Sequence, residues 1–297
     1  MLQGWRRHGF AAAVGMCGGG CVGLVGWGGA QFIIPGMTHP LMGHSQLAAT
    51  GISLCSLSLS TATSATKFLM DESADMGTAA AIAVPSVLSA RLGTRLAARI
   101  PDTVLQLTFN GLSLLFIPLH LLVQRHAASK RGATHESIQA TDSTQSARPR
   151  RAEESSAQPG KPFGLLATLR PQDLAFGCLS GAVSALMGVG GLPLTMSYLT
   201  LCADLPHHLM QGTAVLAVAP SIFTSALSRF HAVPVVTAAA VTAGAMTGAV
   251  IGASVALRIP EDTLRELFMA SLVVLGGRSF IRAGHNIKSL WGNWTKG

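Results

Sequence analysis

The chain has 297 residues, of which 49% are hydrophobic and only 11% charged, with a formal net charge of +8 at neutral pH. Soluble domains carry about 25% charged residues, so the composition excludes an ordinary water-soluble globular protein. The basic residues flank apolar runs or fall in one hydrophilic stretch, which excludes nucleic acid as the partner and points to a lipid bilayer.

In chain order, predominantly apolar runs cover residues 9–37, 45–66, 77–97, 103–123, 174–201, 209–228, 235–257 and 263–281. Each is near the ~20 residues a helix needs to cross the hydrocarbon core. Helices follow because lipid offers no partner to an unpaired backbone amide. The short alternating segments of a barrel are not seen. Cys17, Cys21, Cys55, Cys178 and Cys202 lie within or at the ends of apolar runs, an odd set without metal-ligand spacing.

The landmarks recur. Gly26-Trp27-Gly28-Gly29 returns as Gly188-Val189-Gly190-Gly191, and a histidine-bearing connection follows each, with His39 and His44 matched by His207 and His208. Thr50 falls opposite Thr213, and Arg99-Ile100-Pro101-Asp102 opposite Arg258-Ile259-Pro260-Glu261, at offsets of 159 to 163 residues. The predicted fold is all-α: a polytopic transmembrane helical bundle of about eight spans in two homologous repeats, with a Gly-broken first helix in each. The first repeat occupies 1–126, a disordered basic linker 127–172, and the second repeat 173–297. The linker is assigned from its Ser, Thr, Gln and charge content without apolar periodicity.

Loop charge predicts the same orientation for both halves, with four crossings in each. Arg91, Arg95, Arg99 and Arg258 fall toward the wrong side in that arrangement. If each Gly-Gly segment folds back as a broken hairpin, the passes per half become odd and the repeats inverted. Both arrangements stay open at this point.

The chemistry available is that of a binder of anions. No Asp or Glu lies well inside an apolar run, so a cation site or carboxylate proton relay has no residue to build on. No catalytic motif of a hydrolase or metalloprotease occurs, and no enzyme, metal or cofactor is expected. The glycine pairs Gly28, Gly29, Gly190 and Gly191 should break their helices. A helix restarting after each break would aim free amides and a positive dipole end into the membrane interior. Close packing through small residues is the competing explanation. Thr50, Thr213, Gln46 and Gln211 are neutral donors near the proposed site, although Ser and Thr often bond back to their own helix. Thr50, Ser53, Ser56, Ser60, Thr63 and Ser64 give the second run a hydroxyl-rich side. Arg91 is a candidate to attract an anion, against the plainer reading that it snorkels to the interface. Lys67 and Arg229 end corresponding runs and read as topology anchors.

On these residues the sequence resembles the sulfite exporter TauE/SafE family of membrane transporters. The resemblance rests on the two G-x-G-G segments, the small and hydroxyl-rich helices through Thr50 and Thr213, and the doubled Arg-Ile-Pro element. Trp27 interrupts the first glycine segment, and Ala30-Gln31 and Leu192-Pro193 follow the pairs. The resemblance implies export of small anions, typically sulfite, sulfonates or related organosulfur compounds. The expected function is therefore a secondary transporter or facilitator for small sulfur-containing or carboxylate anions in a multi-pass membrane protein. The alternative is a non-transporting membrane adaptor that recruits partners through its basic linker. Which membrane is used, and whether the protein is a homo-oligomer, stay open.

Overall fold

The computed structural model describes residues 2–26, 28–109, 171–202 and 206–260, with scattered positions in 111–115 and 263–270. The linker expected over 127–172 lies outside the described residues except at its last two positions. The helices are α1 (Leu2–Val25), α2 (Ala30–Met37), α3 (Gln46–Met70), α4 (Met76–Ala97), α5 (Pro171–Met187), α6 (Leu192–Cys202), α7 (His207–Arg229) and α8 (Val235–Ala256). Residues 102–109 are also helical, and among the described residues there is no strand.

Among the described residues, four segments are long and apolar enough to span a bilayer: Arg7–Val25, Met76–Ala97, His208–Arg229 and Val235–Ala256. Large side chains on their outer faces are bare. Val84, Leu88, Leu92 and Leu96 form a stripe along α4 at 53–67% exposure, a surface that water would not tolerate and lipid accepts. The protein is an integral, multi-pass membrane protein. Helix α3, with 25 residues, is long enough to cross but too rich in hydroxyls to look apolar. It is instead the inner helix, since Ala49 to Leu54 are all buried and α1, α2, α7 and α8 pack around it.

Small residues set how close these helices come. A Cβ on Gly15 or Gly19 would overlap the backbone of Val241 or Ala245, and one on Gly248 the backbone of Met16. Numbers rise together along both partners, so α1 and α8 run parallel. On the other side, Gly177 meets Ile82 and Gly181 meets Ser86, so α5 and α4 also run parallel. Backbone approach of this kind replaces the hydrophobic drive that lipid removes.

The run 9–37, read as one broken span, contains two helices folded against each other. Gly18 lies against Gly29 and Ile33, and Gly36 against Val14, so α2 returns along α1. Helices α5 and α6 form a second hairpin. Ser180 Oγ lies 3.2 Å from Thr195 Oγ1, and the Phe176 and Tyr198 rings stack at 4.1 Å.

These hairpins decide direction. The start of α3 sits beside the end of α7, where Arg229 Nη1 donates to Thr50 Oγ1 at 2.7 Å. The end of α3 sits beside the start of α7, where Gly212 faces Phe68 and Ser73. Helices α3 and α7 are therefore antiparallel, and the same-orientation arrangement expected from loop charge does not describe them. Loop charge misled because each apolar run with a glycine break was counted as a crossing, whereas it turns back.

Candidate functional site

Each hairpin turns on glycine. After α1, Gly26 has φ +66°; after α5, Gly188, Gly190 and Gly191 have φ +71°, +84° and +70°. This left-handed region is open to glycine and strained for residues with a Cβ. Gly28 and Gly29 are needed for a different reason. A Cβ on Gly29 would overlap the Gly18 backbone, and one on Gly28 would overlap the carbonyl of Val189.

That last contact joins the two breaks. The Gly26–Gly29 turn and the Gly188–Gly191 turn touch each other in the interior, between α3 and α7. A Cβ at Gly190 would lie 3.0 Å from Ile222 Cδ1 and 3.4 Å from Leu57 Cδ1, side chains near the midpoints of α7 and α3. Two helices, α2 and α6, begin at this place. Of their first amides, Gln31 N and Phe32 N are taken by Gly28 O and Gly29 O, and Pro193 has none, but each start still carries roughly half a positive charge. Glycine thus brings two positive helix ends to mid-depth, which the spacing predicted and the fold makes adjacent.

Two of the neutral candidates border the breaks. Gln211 is fully buried, and its Nε2 donates 2.8 Å to Gly23 O, capping the end of α1. Its Oε1 has no hydrogen-bond partner, and a Cβ at Gly26 would lie 2.9 Å from its Cγ. Thr50 is fully buried against Gly188, 2.8 Å from Thr50 Cβ to a Cβ placed there. Gln46 lies one turn before Thr50 on the same face of α3. It is 6% exposed, with Nε2 unpartnered.

The remaining candidates lie elsewhere. Thr213 accepts a 2.9 Å hydrogen bond from the Asp75 amide and donates 2.7 Å to Leu209 O, fastening the α3–α4 connection to the start of α7. Arg91 is exposed on the outer face of α4, two turns from its end, where a long basic side chain reaches the interface. Neither is brought to the breaks. Among the α3 hydroxyls, Ser56, Ser60 and Thr63 bond back to Ile52 O, Leu57 O and Leu59 O. Ser53 instead donates 3.0 Å to Gly188 O and so pins the second turn, while Ser64 Oγ has no partner.

The residue that sequence reasoning misplaced is Arg229. It is not a surface anchor but 6% exposed, with Nη1 on Thr50 Oγ1 and Nη2 donating 2.6 Å to Ala185 O near the end of α5. Its Nε has no partner. Lys67, at the matching end of α3, is half-buried at the rim. Burial alone separates the two, and nothing local in the sequence reports it. The Arg-Ile-Pro-Asp element also gains a role: Asp102 accepts a 3.2 Å hydrogen bond from the Leu47 amide and caps α3, where an acid complements the dipole.

Among the described residues the one buried acid is Asp173, hydrogen-bonded by the Tyr198 hydroxyl at the open end of the second hairpin. It lies about four turns from the glycine turn along α5. The interior at the breaks is therefore lined by helix starts, amides, hydroxyls and one guanidinium. The family model described as sulfite exporter TauE/SafE matches residues 11–279, an interval that includes both breaks and all of α2 to α8. No curated protein and no solved structure matches the chain.

Proposed function

Since the chain belongs to the sulfite exporter TauE/SafE family, a family of membrane transporters, we propose that it exports small anions of the sulfite, sulfonate or related organosulfur and carboxylate class. The site is the junction of the two glycine turns, with Gly28, Gly29, Gly190, Gly191, Thr50, Gln46 and Gln211 around the anion. The observation that carries this reading is the contact of Gly28 with Val189. It brings two helix starts together at mid-depth, where a fixed positive field with no described acid beside it favours a negative guest.

We further propose that residues 1–126 and 173–297 are inverted copies. Support comes from the packing of glycines. Gly15 on Val241 and Gly19 on Ala245 correspond to Gly177 on Ile82 and Gly181 on Ser86 once each residue is shifted by its own repeat offset, 162 or 159 positions. The antiparallel α3 and α7 are what such a relation requires. Inverted copies can exchange conformations and expose one central site to either side in turn. An inside-negative potential of 100 mV contributes about 2.3 kcal/mol per negative charge moved outward, so export needs no carboxylate relay.

Proteoliposomes holding the purified full chain would show flux with sulfite, sulfonates and carboxylates as the panel. Flux of none of these anions above protein-free vesicles would reject the transport reading.

A further inference from the structure

Arg229 carries a charge that helix capping does not require. Its Nη2 caps Ala185 near the end of α5. At the other break the equivalent carbonyl, Gly23 O, is capped by the neutral amide of Gln211. A neutral side chain thus does the same work, and a buried ion costs several kcal/mol in desolvation unless something compensates it. The described residues supply two hydrogen bonds to neutral acceptors and the negative ends of α5 and α7, with no carboxylate among them. Nε is left without a partner. A guanidinium with an unpartnered Nε–H, held at the end of α5 beside the second glycine turn, can set two parallel donors against two oxygens of a small oxyanion.

We propose that Arg229 is an anion-binding residue of this transporter, presenting its Nε edge to one oxyanion of the sulfite or sulfonate class beside the second glycine turn. The inference rests on the transport reading above and deepens it. Thr50 aims the guanidinium through the Nη1 contact, and Thr50 itself abuts Gly188. The charge is therefore delivered to the turn from which α6 starts. Between Arg229 and that helix start an oxyanion would meet donors from two directions.

The test uses the full chain in proteoliposomes with sulfite as the probe, together with sulfite-dependent thermal shift of the purified protein. R229Q should raise the KM for sulfite by about tenfold or more and abolish the thermal shift. R229K, which keeps charge but loses the fork, should raise KM by about threefold to tenfold. Unchanged KM in both variants, with lower Vmax or lower intrinsic thermal midpoint, would mean a cap only and would overturn the proposal. If R229Q does not fold, R229K decides: wild-type KM and wild-type thermal shift overturn it. A wild-type chain without flux, whose sulfite-dependent shift is lost in R229Q, would keep Arg229 as an anion ligand and overturn transport.

Discussion

Replacing Gly188 by alanine separates backbone strain from a specific contact. Gly188 has φ +71°, and a left-handed residue with a Cβ costs about 1–2 kcal/mol. The new Cβ would also lie 2.8 Å from Thr50 Cβ and 3.1 Å from Thr50 Cα. Because Cα belongs to the backbone of the inner helix, it cannot swing aside, and overpacking adds about 1–3 kcal/mol. The total is about 2–5 kcal/mol. Gly43 supplies the control, with φ +67° and nothing within 4 Å of a Cβ, so Gly43→Ala should incur the strain alone. Unfolding by an SDS titration followed by circular dichroism would compare the two variants. Equal losses of stability would refute the claim that the second turn is wedged against Thr50. Gly188→Ala should in addition raise the sulfite KM, because Thr50 holds the Arg229 guanidinium.

Gly19→Ala should abolish recovery of monodisperse protein, since its Cβ overlaps the Ala245 backbone, whereas Gly20→Ala meets Gly248 O at an ordinary 3.8 Å and should be tolerated; size-exclusion profiles decide. Gln211→Leu removes the cap on Gly23 O and should lower stability by about 1–3 kcal/mol, visible as a reduced thermal midpoint; an unchanged midpoint would show that the cap is dispensable. Ser53→Ala should cost about 1 kcal/mol through loss of the bond to Gly188 O, while Ser56→Ala, which loses a back-bond to its own helix and a 3.3 Å contact with Thr242, should cost less. Deletion of residues 130 to 160 should leave anion flux intact, whereas a non-transporting adaptor would show no flux in the full chain and would lose its cellular phenotype on the deletion.

Membrane residence, the helical class and the positions of the glycine breaks were legible in the sequence because each is a local property. Hydropathy over about 20 residues reports a helix in lipid, and paired glycines report a break without any neighbour being known. The doubled landmarks placed Thr50 and Gln211 near those breaks, and the fold puts both against them. Thr213 shared the pattern but serves the α3–α4 connection, because a matching sequence position does not by itself fix the partner a side chain meets. What the glycine turns do to chain direction could not be read locally. A kink and a hairpin have the same composition, and only tertiary contacts, such as Gly36 with Val14 and Gly18 with Ile33, distinguish them. That choice reverses the count of crossings and makes α3 and α7 antiparallel. Arg229 is the sharpest case. Its sequence position, ending an apolar run, is that of an interfacial anchor, while its burial is decided by partners 179 and 44 residues away. The sequence determined that the membrane interior would contain two helix starts and almost no acid. Tertiary packing alone decided that those starts meet, and that a guanidinium turns inward to join them.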